Sequence, residues 1–101
     1  MARWVAIFED NPEEQAGWVR KQHAADHFAY LEMHADVIKI AGGLRPNPDQ
    51  WWSGGLWVME VATRGQAESL CENDPCFKLG LRKAYRLYVW GKAPLYGPVT
   101  L

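Results

Sequence analysis

Apolar residues along the chain fall into short blocks whose period switches between two and about 3.6. Residues 3–10 read RWVAIFED, with apolar side chains at both sets of alternating positions. Trp4, Ala6 and Phe8 share one face, and Val5 and Ile7 share the other. That is the pattern of a strand covered on both sides. NPEE follows at 11–14. Asn11 suits an N-cap, Pro12 suits the first helical position, and Glu13 and Glu14 complement the helix dipole. A helix is therefore predicted over residues 12–35. DVIKIAGGLRP (36–46) predicts a second strand ending at the pair Gly42 and Gly43. NPDQWWSGG (47–55) is a loop by its turn formers. LWVMEVA (56–62) predicts a third strand. TRGQAESLCEN (63–73) opens on the capping residue Thr63 and predicts a shorter helix. DPCFKLGL (74–81) is a turn or short helical step, and KAYRLYVWGKAPL (83–95) contains a fourth strand. The order βαββαβ is the ferredoxin-like arrangement, an α+β fold with both helices on one face of a four-stranded antiparallel sheet. No internal sequence repeat is present.

The second face of such a sheet is left open, yet these strands are apolar on both sides. Trp4, Trp57, Tyr88 and Trp90 are among the strand residues. A second copy of the chain is the expected cover, because closed two-fold dimers are the commonest oligomers. The expectation is a homodimer with two sheets face to face, a dimeric α+β barrel.

Composition agrees with a single domain over residues 1–101. Its core spans about 3–94 and its C-terminal tail 95–101. Hydrophobic residues make up 49%, and six are Trp, enough for a packed core. The net charge of −1 with no basic patch argues against nucleic acid as a partner. No stretch approaches the ~20 apolar residues that span a bilayer. The N-terminus lacks the cationic start and long apolar run of a signal peptide. The expected setting is cytoplasmic, with no membrane partner. Cys71 and Cys76 lie five apart, neither a redox CxxC nor a zinc knuckle, and read as reduced, buried thiols.

All three histidines, His23, His27 and His34, lie within HAADHFAYLEMH. On a wheel of about 100° per residue, Ala24, Phe28, Leu31 and Ala35 share the core-facing arc. Arg20, His23, His27 and His34 run along its border. Three readings follow. His23 and His27 form an i, i+4 pair that can share a metal ion, but zinc takes about four ligands and no others cluster here. The three can be a polar border that hydrogen-bonds locally. One of them can be a general acid/base, since imidazole changes charge near neutral pH.

HFAYLEMHADVIKIAGGL, a third strand, ENDPCFKLGL and a last strand ending VWGKAP together resemble the YciI-like (YCII-related) domain family. The resemblance rests on His27-Phe28-Ala29-Tyr30-Leu31, and on Asp74-Pro75 followed by Phe77 and Gly80. It implies a dimeric ferredoxin-like barrel with a site centred on a His and an Asp, here His27 and Asp74. It further implies chemistry akin to that of a relative that eliminates HCl from a chlorinated hydroxyquinol. The muconolactone isomerases are a more distant analogy. Three departures stand out. Gly43 replaces a usual Pro, Ala24 stands where an Arg is usual, with Arg20 one turn earlier to serve instead, and the 47–55 loop carries two tryptophans.

A carboxylate accepting from one imidazole nitrogen fixes the tautomer and raises the basicity of the other. The sequence thus nominates His27 and Asp74 as an acid/base pair of a lyase, isomerase or dehydrochlorinase acting on a small, cyclic or aromatic molecule. Arg20 and His23 are its expected polar neighbours, and Trp51, Trp52 and Phe77 its ring-binding walls. No metal or other cofactor is called for, and no P-loop or dinucleotide fingerprint is present. Two alternatives stand beside it. Asp74 can simply cap the short helix that begins at Pro75. The domain can also be a non-catalytic module that binds a small molecule or a protein.

Overall fold

The computed structural model describes all 101 residues. Strand β1 (Ala2–Asp10) leads through helix α1 (Glu13–Met33) to β2 (Ile38–Leu44) and β3 (Gly54–Val61). Helices α2 (Arg64–Glu72) and α3 (Pro75–Lys78) precede β4 (Arg82–Val89). The sheet order is β2-β3-β1-β4 and every pairing is antiparallel. This is the ferredoxin-like α+β fold, with the core on one face of the sheet.

Alternation sets the covered face. Trp4, Ala6 and Phe8 of β1 are buried, as are Trp57, Met59 and Val61 of β3, Ile38 of β2 and Leu87 of β4. Ala67 and Cys71 of α2 close over them. A smaller cluster joins Ala16 and Val19 of α1 to Cys76 and Leu81. On the opposite face Ile7, Ile40 and Tyr88 remain exposed. The expectation that β1 is covered on both sides therefore does not hold within one chain.

Two irregularities position the site. The β1–β4 register shifts between Glu9 and Asp10, so that Asp10 pairs with Arg82 rather than with Lys83. A second shift lies between Ile38 and Ile40. Such shifts turn successive side chains to the other face. Arg82 is thereby sent inward, and Ile38 and Ile40 onto opposite faces.

Helix α1 is not one continuous wheel. His23 has non-helical backbone angles (φ −121°, ψ 16°) at a kink. The expected core arc, which lies wholly after the kink, reaches the core only at Leu31. Phe28 is 64% exposed, and Ala35 lies outside the helix at an exposed turn. Ala16 and Val19 face inward before the kink, and Tyr30 and Leu31 pack on the main core after it. The N-terminal signals are also spent differently. Pro12 occupies the N-cap position without a side-chain cap. Asn11 instead donates Nδ2–H to the Gly80 carbonyl at 2.8 Å, tying the helix start to the α3–β4 turn. Helix α2 follows local rules. Thr63 caps it in a reciprocal capping box with Gln66. No helix is long and apolar enough to cross a membrane.

Candidate active site

A cavity of about 290 Å³ opens between α1, the end of β2, the 45–53 loop and the start of β4. Arg20, His27, Trp51 and Trp52 line it, together with Phe28 and Arg82.

His27 follows the kink by one turn, which directs its ring toward α3. Its Nδ1 lies 2.9 Å from Asp74 Oδ1. The Asp74 side chain is 1% exposed and that of His27 16%. Asp74 stands at the N-cap of α3, yet its side chain makes no cap hydrogen bond. Capping therefore does not account for its carboxylate. Oδ1 faces His27, and the buried Oδ2 has no partner. Around the pair, the His27 ring packs on Trp57 with centroids 6.1 Å apart. Tyr30 donates its hydroxyl to the Leu70 carbonyl at 2.7 Å, locking the second half of α1 onto α2. Burial and the nearby Asp74 charge push the Tyr30 phenol up to about 12.

A second ionic cluster lies in the same region. Asp10, whose side chain is 2% exposed, accepts at Oδ2 from Arg20 Nη2 at 2.7 Å and at Oδ1 from Arg82 Nη1 at 2.6 Å. Arg20 also donates to the Gly54 carbonyl at 2.8 Å. The guanidinium of Arg82 lies 4.4 Å over the Phe8 ring.

Glycines make the floor. Gly43 and Gly55 are paired across β2 and β3, and Gly55 is paired with Phe8. A Cβ on Gly43 would come within 2.7 Å of the Trp52 ring, and one on Gly55 within 3.1 Å of Arg82 Nη1 and Nη2. The missing side chains let an indole and a guanidinium lie against the sheet. Gly43, one of the departures noted above, is thus the seat of Trp52.

Of the residues nominated from sequence, Arg20, His27, Trp51 and Trp52 share the cavity, and Asp74 supports His27. His23 does not line it. His23 pairs with Asp26 at 3.0 Å and packs edge-on against Trp18. The kink at its own backbone turns it away. Phe77 does not line it either. That ring packs edge-on against Tyr85, at the rim of the main core. Arg82 was missed because the register shift that points it inward leaves no mark in the local pattern. Asp10 was readable, since it continues the inward parity of Trp4, Ala6 and Phe8.

The His23 and His27 pair considered for a metal is split between two aspartates. A different set, His27, Asp74 and Cys76, brings one ligand atom each within 4.8 Å. Burial pushes the Cys76 thiol up to about 11, and Arg20 and Arg82 are close enough to act on it electrostatically. The same two cations oppose a metal ion at this point. Cys71 and Cys76 are both buried and free, and burial pushes Cys71 up to about 12.

A His–Asp pair at an aromatic-walled cavity, on a ferredoxin-like sheet, thus sets this chain among small α+β domains. The chain belongs to the YCII-related domain family, whose model matches residues 2–91. Among solved structures it resembles 5-chloro-2-hydroxyhydroquinone dehydrochlorinase from Burkholderia phenoliruptrix, in complex with 2,5-dihydroxybenzoquinone. The TM-score is 0.78 and the identity 26%, covering 90% of this chain and 95% of that one. Among curated proteins, none matches the chain significantly.

Proposed function

We propose that this protein is a small-molecule acid–base enzyme of the lyase or isomerase type, acting on a hydroxylated ring. The observation that carries the proposal is the 2.9 Å contact between His27 and a fully buried Asp74 beside an aromatic-walled cavity. The resemblance to a dehydrochlorinase of small aromatic molecules supports it.

With its proton on Nδ1, His27 donates to Asp74 and presents Nε2 as the base. Nε2 takes a ring hydroxyl proton, the O–H electron pair becomes enolate density, and the proton returned to a ring carbon completes a keto–enol isomerisation. Where that carbon carries a halide, loss of a second hydroxyl proton expels the halide with its bonding pair. The net change is release of one hydrogen halide. Asp74 holds the imidazole tautomer and balances the transient imidazolium charge. Trp51 and Trp52 supply ring-stacking walls. The chain's own residues complete this scheme without a cofactor.

The working unit is a homodimer, and its setting the cytoplasm. The open sheet face exposes Ile7, Ile40 and Tyr88 beside half-buried Val5 and Leu56, an apolar surface that a second copy would bury. Light scattering is expected to give twice the chain mass, and Ile7→Glu, at an exposed position of that face, to give monomers.

The test of the chemistry is halide and proton release from halogenated hydroxyquinols by wild type and His27→Ala. The expected loss is about 10²–10⁴-fold, the usual contribution of a general acid/base, with an unchanged circular dichroism spectrum. Equal turnover by the two proteins would sink the reading.

A further inference from the structure

We propose that Arg82 is an oxyanion receptor in the floor of the cavity, and that the ligand class is a planar ring bearing an ionised oxygen. Choosing a hydroxylated ring rests on the acid–base reading of His27. The receptor itself rests on how the two arginines divide their donors.

Arg20 is the better engaged of the two, with three hydrogen bonds. Its Nε and Nη2 both reach Asp10 Oδ2, and Nη2 also reaches the Gly54 carbonyl. Arg82 is less so. Its side chain is 3% exposed, yet it makes one hydrogen bond, from Nη1 to Asp10. A guanidinium carries about five N–H donors. The Arg82 Nε is buried and has no partner. Buried donors left without partners are rare and costly, and a forked, unsaturated guanidinium matches a flat oxyanion.

Charge points the same way. One carboxylate, Asp10, serves two guanidiniums. The cluster therefore carries one surplus positive charge. Arg82 is also held rigidly, between the Phe8 ring and the bare backbone of Gly55. It lines the same cavity as His27, Trp51 and Trp52. An ionised ring oxygen on Arg82 would take the unpaired Nη2 donors while the ring meets the tryptophans. A hydroxyl proton handed to His27 would leave its oxygen as the anion that Arg82 receives.

The test is calorimetric binding to the full chain of 2,5-dihydroxybenzoquinone, a vinylogous acid ionised at neutral pH, and of its dimethyl ether, the same ring without charge. Wild type is expected to prefer the anion by about tenfold or more, the scale of one charge-assisted hydrogen bond. Arg82→Gln is expected to lose that preference while holding the neutral quinone within about twofold. Equal affinity of wild type for both quinones, or binding of neither, overturns the proposal, and needs no variant to fold. A parallel fall of both affinities in Arg82→Gln also overturns it. Anion-selective binding by a protein that turns over no hydroxylated ring would keep the receptor and end the acid–base reading. Turnover without anion preference would do the reverse.

Discussion

Asp10 and Asp74 are both buried, 2% and 1% exposed at the side chain, and both stand where a strand or turn meets a helix. They are used in opposite ways. Asp10 spends both oxygens on Arg20 and Arg82 and so clamps β1, α1 and β4 together. Asp74 spends one oxygen on His27 and holds the other unpaired. A carboxylate with both oxygens paired is a structural device, because removing it strands charges that packing cannot relax. Under the proposed function, a half-used carboxylate beside an imidazole is a chemical reserve. The same residue type, at similar depth, is thus divided between holding the fold and poising the site.

The largest expected effect tests the clamp. Asp10→Asn leaves two guanidiniums without a counter-charge and is expected to cost about 3–5 kcal/mol in denaturant unfolding. A cost below about 1 kcal/mol would remove the contrast. Asp74→Asn is the complementary change. Turnover is expected to fall about 10²-fold, while stability stays within about 1 kcal/mol of wild type. Long-range proton–nitrogen spectra should show a protonated Nδ1 on His27 in wild type and a mixture of tautomers in the variant. A large stability loss with normal turnover would make Asp74 a second clamp.

Gly55→Ala disturbs Arg82 without altering any charge, because the new methyl meets both Nη atoms at 3.1 Å. It is expected to cost about 1–2 kcal/mol and to weaken ligand binding through Arg82. Gly43→Ala presses on Trp52 at 2.7 Å and should weaken binding with a smaller loss of stability, since that indole sits on a surface loop.

The smallest effect is on pH. Cys71 and Cys76, with an ordinary value of 9.0, are pushed up to about 12 and about 11 by burial. The folded state then holds these protons more tightly than the unfolded chain. Their contribution to stability is complete below pH 9 and declines as the pH rises toward 11 and 12. Melting temperatures measured from pH 8 to 11 should fall, and fall less in Cys71→Ala. Treatment with a chelator should leave both activity and this profile unchanged, which sets the His27, Asp74 and Cys76 group apart from a required metal site.

Where a pattern is local and unbroken, it was legible. The order of elements along the chain, the Thr63 cap and the inward parity of Trp4, Ala6 and Phe8 follow from propensity and alternation over a few residues. His27 and Asp74 were nominated through motifs that resemble a family, and their contact is a product of tertiary packing across 47 positions of chain. The wheel set Phe28 on the core, whereas the face it shares with Ala24 and Leu31 opens onto the cavity. Asn11 looked like a cap and is instead a tether to Gly80, since a cap residue's side chain takes the best partner in reach. Local pattern is enough for the order of elements, the composition of the core and the residue types from which a site could be made. Long-range packing is what turns Arg82 inward, lays Gly43 and Gly55 side by side as a floor, and gives two aspartates different partners. Alternation and helical period propagate only within an unbroken element. A one-residue shift or a kink changes the phase, and packing against distant parts of the chain sets where it falls.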